Sequence, residues 1–362
     1  MTNRTIKHEI KLQKSVVVIL GLLAISVCAN AFAPAFSIKE AMAQLVSKSG
    51  YNGEIYPEPY QLLLASDLSE SVEEGVRTAL DAAVRVWGNF GPLEYYVVGS
   101  DASATRDLET QFCKQPDGRF GSEKSCLDWV QRDGAFENIR LVTIEMLKGE
   151  TPFSNVGFRG GLPSKVIISS LPPHLSGITF EERFQVQPTG GKVILHEYWH
   201  NIQHSHIPYH IQGIDREAYL GPPWFTEGTA EYMAILTHSK LKAAEKLIFP
   251  DKPQYSGLLA MKNFMEEALR GLGNASFTVK EIPHSSQLKY AIGTWATAFL
   301  FNVAGDNNVL LDVFLPNVAE LGWEDAFIKA FGITSEEFYT QFDAFLLLPH
   351  DEQIKILDPS LN

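Results

Sequence analysis

Cysteine is scarce in this chain: three residues in 362, Cys28, Cys113 and Cys126. That scarcity excludes a zinc site built from thiolates, which needs three or four soft ligands close together. The chain also lacks an excess of basic charge. With 30 Lys and Arg against 43 Asp and Glu, a net charge of −13, neither nucleic acid nor an anionic membrane surface is an expected partner. No repeat, low-complexity tract or collagen-like period interrupts it, and 45% hydrophobic residues suffice for a substantial core. Past residue 33 no apolar run is long enough to cross a bilayer, so the remainder is expected to be soluble and globular.

The one long apolar run lies at the N-terminus. Arg4, Lys7, Lys11 and Lys14 precede a stretch from Ser15 to Ala33 that is apolar apart from Ser15, Ser26 and Asn30. A basic segment followed by an apolar one predicts an export signal over residues 1–31, with Ala29-Asn30-Ala31 as a small-x-small cleavage site and residues 32–50 as a spacer. The protein is therefore expected to be periplasmic or extracellular. The alternative is an uncleaved membrane anchor, since the run approaches the ~20 residues needed to span a bilayer. Lipidation at Cys28 is disfavoured by Val27, where a small residue is expected. Cleavage would leave Cys113 and Cys126 as an even pair around the Gly-rich stretch 114–125, a plausible disulfide in an oxidising compartment.

Along the mature chain the patterns divide at 171–190, a segment rich in Pro and Gly. Residues 51–180 are expected to form a mixed α/β lobe. A capping box at Ser71 to Glu74 opens a helix with apolar positions Val72, Val76, Ala79, Leu80, Ala83 and Trp87, and β-branched and aromatic runs predict strands at 93–98, 139–146 and 165–170. Residues 181–350 are expected to form a helical catalytic lobe, with helices at 192–206, 226–239, 256–270, 289–304, 307–320, 323–331 and 335–347, Thr226 capping the second. The fold class is α+β, with the functional cleft between the lobes.

The chemistry concentrates in two segments of the second lobe. His196-Glu197-Tyr198-Trp199-His200 is an HExxH arrangement: histidines four apart on one helix face can bind a single zinc ion, and the glutamate between them can serve as general base. Such a pattern arises by chance in roughly one chain of this size in a hundred. Neutral imidazoles suit zinc better than magnesium or calcium. For the third ligand, Glu227, Glu231, His204, His206 and His210 come into view. His204 continues the His196 and His200 stripe, but three ligands on one straight helix would span about 12 Å and could not converge. Glu227, 27 residues beyond His200 near the start of its own helix, is best placed; His206 or His210 could fold back past Pro208. Glu231, one turn after Glu227, is expected to hydrogen-bond the outer nitrogen of a zinc histidine.

The HExxH segment followed by Trp224-Phe225-Thr226-Glu227-Gly228-Thr229-Ala230-Glu231-Tyr232 resembles the gluzincin metallopeptidases, specifically the thermolysin-like domains whose second motif reads Trp-x-x-Glu-Gly-x-Ala-Glu-Tyr. The resemblance extends more loosely from Tyr290 to Phe338 and covers about residues 160–348. It implies a zincin-like fold, Glu227 as third ligand, Glu231 behind a histidine, and Tyr290 as a phenol stabilising the oxyanion. The chain departs from the family in two places: it has neither the Gly-Ala-Met-Glu-Asn loop of the aminopeptidase branch nor thermolysin's own Asn-Glu-x-x-Ser-Asp, so neither branch's substrate class carries over.

The expectation is thus an exported zinc endopeptidase acting on proteins or peptides, with His196, His200 and Glu227 as ligands and Glu197 and Tyr290 as catalytic groups. Residues 166–170 are a candidate strand for pairing with substrate backbone, or else a buried core strand. The rivals are a zinc hydrolase acting on a non-peptide amide or ester, and a zinc-binding module without turnover.

Overall fold

Leu93, Tyr95 and Val97 point to one side of an extended segment while Glu94, Tyr96 and Val98 point to the other, and all six are buried. A strand buried on both faces needs layers on both sides. The computed structural model, which describes residues 53–114, 120–159, 164–178, 190–208, 215–244, 256–275 and 277–361, supplies them. Strands β1 (Gln61–Leu64), β2 (Leu93–Val98), β3 (Val156–Arg159) and β4 (Lys165–Ser170) form one sheet in the order β1-β2-β4-β3. β1, β2 and β4 are parallel, with Tyr95 opposite Ile167, and β3 closes the edge antiparallel to β4.

One face of the sheet packs on α2 (Ala102–Cys113), α3 (Glu123–Asp133) and α4 (Ala135–Leu147) around Tyr96, Phe112, Val130, Phe136 and Ile168. Cys113 and Cys126 form a disulfide that ties α2 to α3. The other face shares a continuous core with α1 (Glu70–Trp87), α5 (Gly190–Ser205), α6 (Pro223–Ala243), α7 (Gly257–Asn274), α8 (Leu288–Ala304), α9 (Leu315–Phe331) and α10 (Ser335–Leu346). The class is mixed α and β, mostly helical. Residues Ser49 to Asn362 make one compact unit. Among the described residues no helix is long and apolar enough to cross a membrane. The export signal, its cleavage site, the spacer and His210 lie outside the described residues.

Several sequence expectations need correction. Residues 139–146 lie in helix α4: Phe136, Ile139, Thr143 and Met146 are its buried positions, a three-to-four-residue stripe that outweighs the β-branched content. Helices α2 and α3 were not anticipated, although Asp101 and Ser122 accept from the backbone N–H groups of Ser103, Ala104 and Ser125 as N-caps. Helix α1 begins at Glu70 behind Ser69, placing Ser71 inside its first turn. Helix α6 starts at Pro223, so Thr226 does not cap it and instead donates to the Leu220 carbonyl at 3.0 Å. β4 is an interior strand, paired on both sides, so among the described residues the edge of that end of the sheet is β3.

Helices α6 and α8 touch backbone to backbone. A Cβ at Gly228 would lie 2.1 Å from the Gly293 carbonyl carbon, and one at Gly293 would lie 2.1 Å from the Trp224 oxygen. Only hydrogen atoms fit at that crossing. Gly228→Ala gains about 1 kcal/mol of helix propensity, yet the clash with immovable backbone is expected to leave a net loss of about 3 kcal/mol. Chemical denaturation checks this, and an unchanged midpoint would mean that the crossing is slack.

Candidate metal centre

Helix α5 is fixed by the residues between and beyond its motif positions. The Tyr198 hydroxyl donates to the Gly88 carbonyl at 2.6 Å and accepts from the Phe90 N–H at 3.1 Å, while the Asn201 amide donates to the Phe90 carbonyl. Trp199 packs edge-on against Trp87, with ring centroids 5.2 Å apart. One side of α5 is thereby anchored to the end of α1, and the side carrying His196 and His200 faces α6.

Across that interface His196, His200 and Glu227 form a group that could hold a metal ion. The two Nε2 atoms are 3.1 Å apart, and Glu227 Oε2 lies 3.2 Å from that of His200 and 3.5 Å from that of His196. Donors placed 2.0–2.1 Å from one ion at tetrahedral angles are separated by about 3.3 Å.

The outer nitrogens decide what these donors carry. His196 Nδ1 lies 2.9 Å from Glu231 Oε2. Burial opposes the Glu231 charge, but Lys192 and His196 outweigh it and hold the pKa down at about 2, so the carboxylate accepts and Nδ1–H donates. His200 Nδ1 lies 2.7 Å from Gln203 Oε1, whose amide nitrogen donates to the Thr226 carbonyl at 3.0 Å and the Thr229 hydroxyl at 2.9 Å. The amide oxygen therefore faces the ring, and His200 Nδ1–H donates to it as well. In neutral imidazoles both inner nitrogens are then bare lone pairs, converging with a carboxylate oxygen. A metal ion, or a proton on an inner nitrogen that then donates to Glu227, can fill the space between these three atoms, so they form a group able to hold a metal.

The electrostatics agree. Burial works against a charge on His196, yet Glu227 and Glu231 outweigh it and raise its pKa to about 10, so the site favours positive charge. Burial likewise opposes ionised Glu227, but hydrogen bonds from His196 and His200 hold its carboxyl far below the usual range. Glu197, half-buried on the same helix, is pushed up chiefly by burial, with His196 and His200 pulling the other way. The Tyr290 ring, in the first turn of α8, lies 6.0 Å from the His196 ring, and burial followed by the nearby carboxylates raises its pKa, keeping the phenol protonated.

Among the described residues, the other candidate histidines, His204 and His206, stay outside the group. His204 stacks on Phe158 of β3 at 4.3 Å, and His206 turns its Nδ1 to the Ile202 carbonyl at 2.8 Å beside Phe90. Sequence reasoning missed three contributors: Gln203, Lys192 and Lys289. Gln203 carried a readable signal, since it lies three residues after His200 on one helix face. Gln203→Leu should free the His200 tautomer and lower metal affinity about 10- to 100-fold, as read by competition with a chromophoric chelator; an unchanged affinity would show that the amide does not orient the ring.

No family model matches the chain, and neither a curated protein nor a solved structure does.

Proposed function

We propose that this chain is an exported zinc metallopeptidase of gluzincin type, with a zincin-like fold, cleaving internal bonds of proteins or peptides. The observation that carries the reading is the convergence of two imidazole Nε2 atoms and one carboxylate oxygen at tetrahedral spacing, with Glu197 on the same helix. Nitrogen and oxygen donors in this number suit zinc with one position left open. Bound zinc supplies Lewis acidity, lowering the pKa of water toward ~7 and polarising a carbonyl.

The remaining steps belong to the chain's own residues. Glu197 takes a proton from the water whose oxygen adds to the scissile carbonyl carbon, then delivers it to the departing nitrogen as the C–N bond breaks. Its burial raises the proton affinity of the carboxylate, which eases the first transfer. Tyr290 keeps its proton and donates a hydrogen bond to the developing oxyanion. The edge strand β3, beside His204, offers backbone groups to an extended substrate, a role that passes to it from β4. Export is supported by the basic and apolar N-terminal sequence and by the Cys113–Cys126 disulfide.

A mass-spectrometric digest of a diverse peptide library by the purified mature protein, with and without chelator and with zinc assayed, tests the proposal. Chelator-sensitive cleavage with about one zinc per chain is expected. A zinc-loaded protein that leaves the library intact would move the reading to a non-peptide amide or ester or to a binding role. Failure to take up zinc would end it.

A further inference from the structure

Glu227 divides its two oxygens between two partners. Oε2 faces the inner nitrogens of His200 and His196 at 3.2 and 3.5 Å, whereas Oε1 lies 3.2 Å from Lys289 Nζ. The Lys289 side chain is only 13% exposed and its ammonium sits 5.1 Å from the centre of the Tyr290 ring. This is not a loose surface pair: Lys289 belongs to the first turn of α8, which the Gly228–Gly293 contact clamps against the helix that carries Glu227. Glu231 divides its oxygens in the same way, Oε2 to His196 and Oε1 to Lys192, but Glu231 stands behind a histidine and not in the donor group.

The division matters because a glutamate can offer a divalent ion one oxygen or two. A second oxygen from Glu227 would add a donor and occupy the position that water or substrate must take. An ammonium on Oε1 engages that oxygen's lone pairs, and its positive charge discourages the approach of Oε1 to a cation. We propose that Lys289 is a positioning residue that restricts Glu227 to one-oxygen coordination and thereby keeps a metal position open. The inference rests on reading His196, His200 and Glu227 as a metal site.

Cobalt(II) substitution tests it without reference to turnover, because four-coordinate cobalt absorbs visible light far more strongly than five-coordinate cobalt. The wild-type protein should take up about one cobalt and show the strong four-coordinate bands. Lys289→Met keeps the apolar stem and removes the charge; it should still bind cobalt, lose band intensity several-fold and lose about 10- to 100-fold in kcat/KM. Lys289→Gln carries the same expectation should the methionine variant fail to fold. Lys289→Arg should restore the strong bands, and Lys192→Met should keep them while binding cobalt more weakly. Wild-type intensity in the methionine or glutamine variant, or five-coordinate bands in the wild type, would overturn the role of Lys289. If the wild type takes up neither cobalt nor zinc, the metal-site reading itself fails, and this inference falls with it.

Discussion

Glu197→Gln should hold its zinc and its fold and lose at least about 1,000-fold in kcat/KM, the upper part of the range for removing a general acid–base group. The substitution is nearly isosteric, and Glu197 is not one of the three donors, so metal content should match the wild type. What disappears is the group able to take a proton from water and return it to the departing nitrogen, since an amide has no comparable basicity. The comparison is made at saturating zinc, with metal assayed in both proteins. Full zinc together with full activity would remove Glu197 from the mechanism. Lost activity accompanied by lost zinc would instead assign it a part in assembling the site.

The sequence disclosed those parts of the site that depend on one helix at a time. His196, Glu197 and His200 share a face because four residues nearly complete a turn, and Glu227 and Glu231 follow the same rule on α6. Strands 93–98 and 165–170 were readable from dense β-branched and aromatic runs. The order of strands was not, because it depends on pairing across long stretches of chain; only the sheet reveals that β4 is interior and β3 the edge. Residues 139–146 were misread for a related reason: a helix rich in Ile, Val and Thr differs from a strand only by its period, and its turns carry mixed polarity.

Lys289 had no sequence signal at all. Its position beside Glu227, 62 residues away, follows from two glycines that let α8 approach α6. Gly228 belongs to the same short segment as Glu227, so one stretch of chain both supplies a donor and sets the helix spacing that brings Lys289 and Tyr290 to it. Lys192 was overlooked although it lies four residues before His196, because an exposed-looking lysine at a helix start gives no hint of a carboxylate arriving from α6.

Glu227→Ala and His206→Ala separate two of the third ligands that the sequence left in competition. Glu227→Ala removes an oxygen within 3.5 Å of both inner nitrogens and strands the Lys289 ammonium beside the site. Losing a group that only orients a ligand costs about 10- to 100-fold in affinity, so losing a ligand itself should weaken zinc binding by more than about 100-fold. His206 lies six residues after His200, which turns it well away from the His200 direction on a helix of 3.6 residues per turn. Its ring is committed elsewhere: Nδ1 meets the Ile202 carbonyl at 2.8 Å, Phe90 packs at 5.1 Å, and burial lowers its pKa to about 4. His206→Ala should therefore lower stability by roughly 1–3 kcal/mol through lost packing while leaving zinc affinity within about threefold, a shift of less than 1 kcal/mol. Chelator competition on both variants reads the affinities, and denaturant unfolding reads the stability. The opposite pattern, with zinc lost in His206→Ala and kept in Glu227→Ala, would mean that α5 folds back on itself in solution to supply all three ligands, and the two carboxylates of α6 would then have no place in the site.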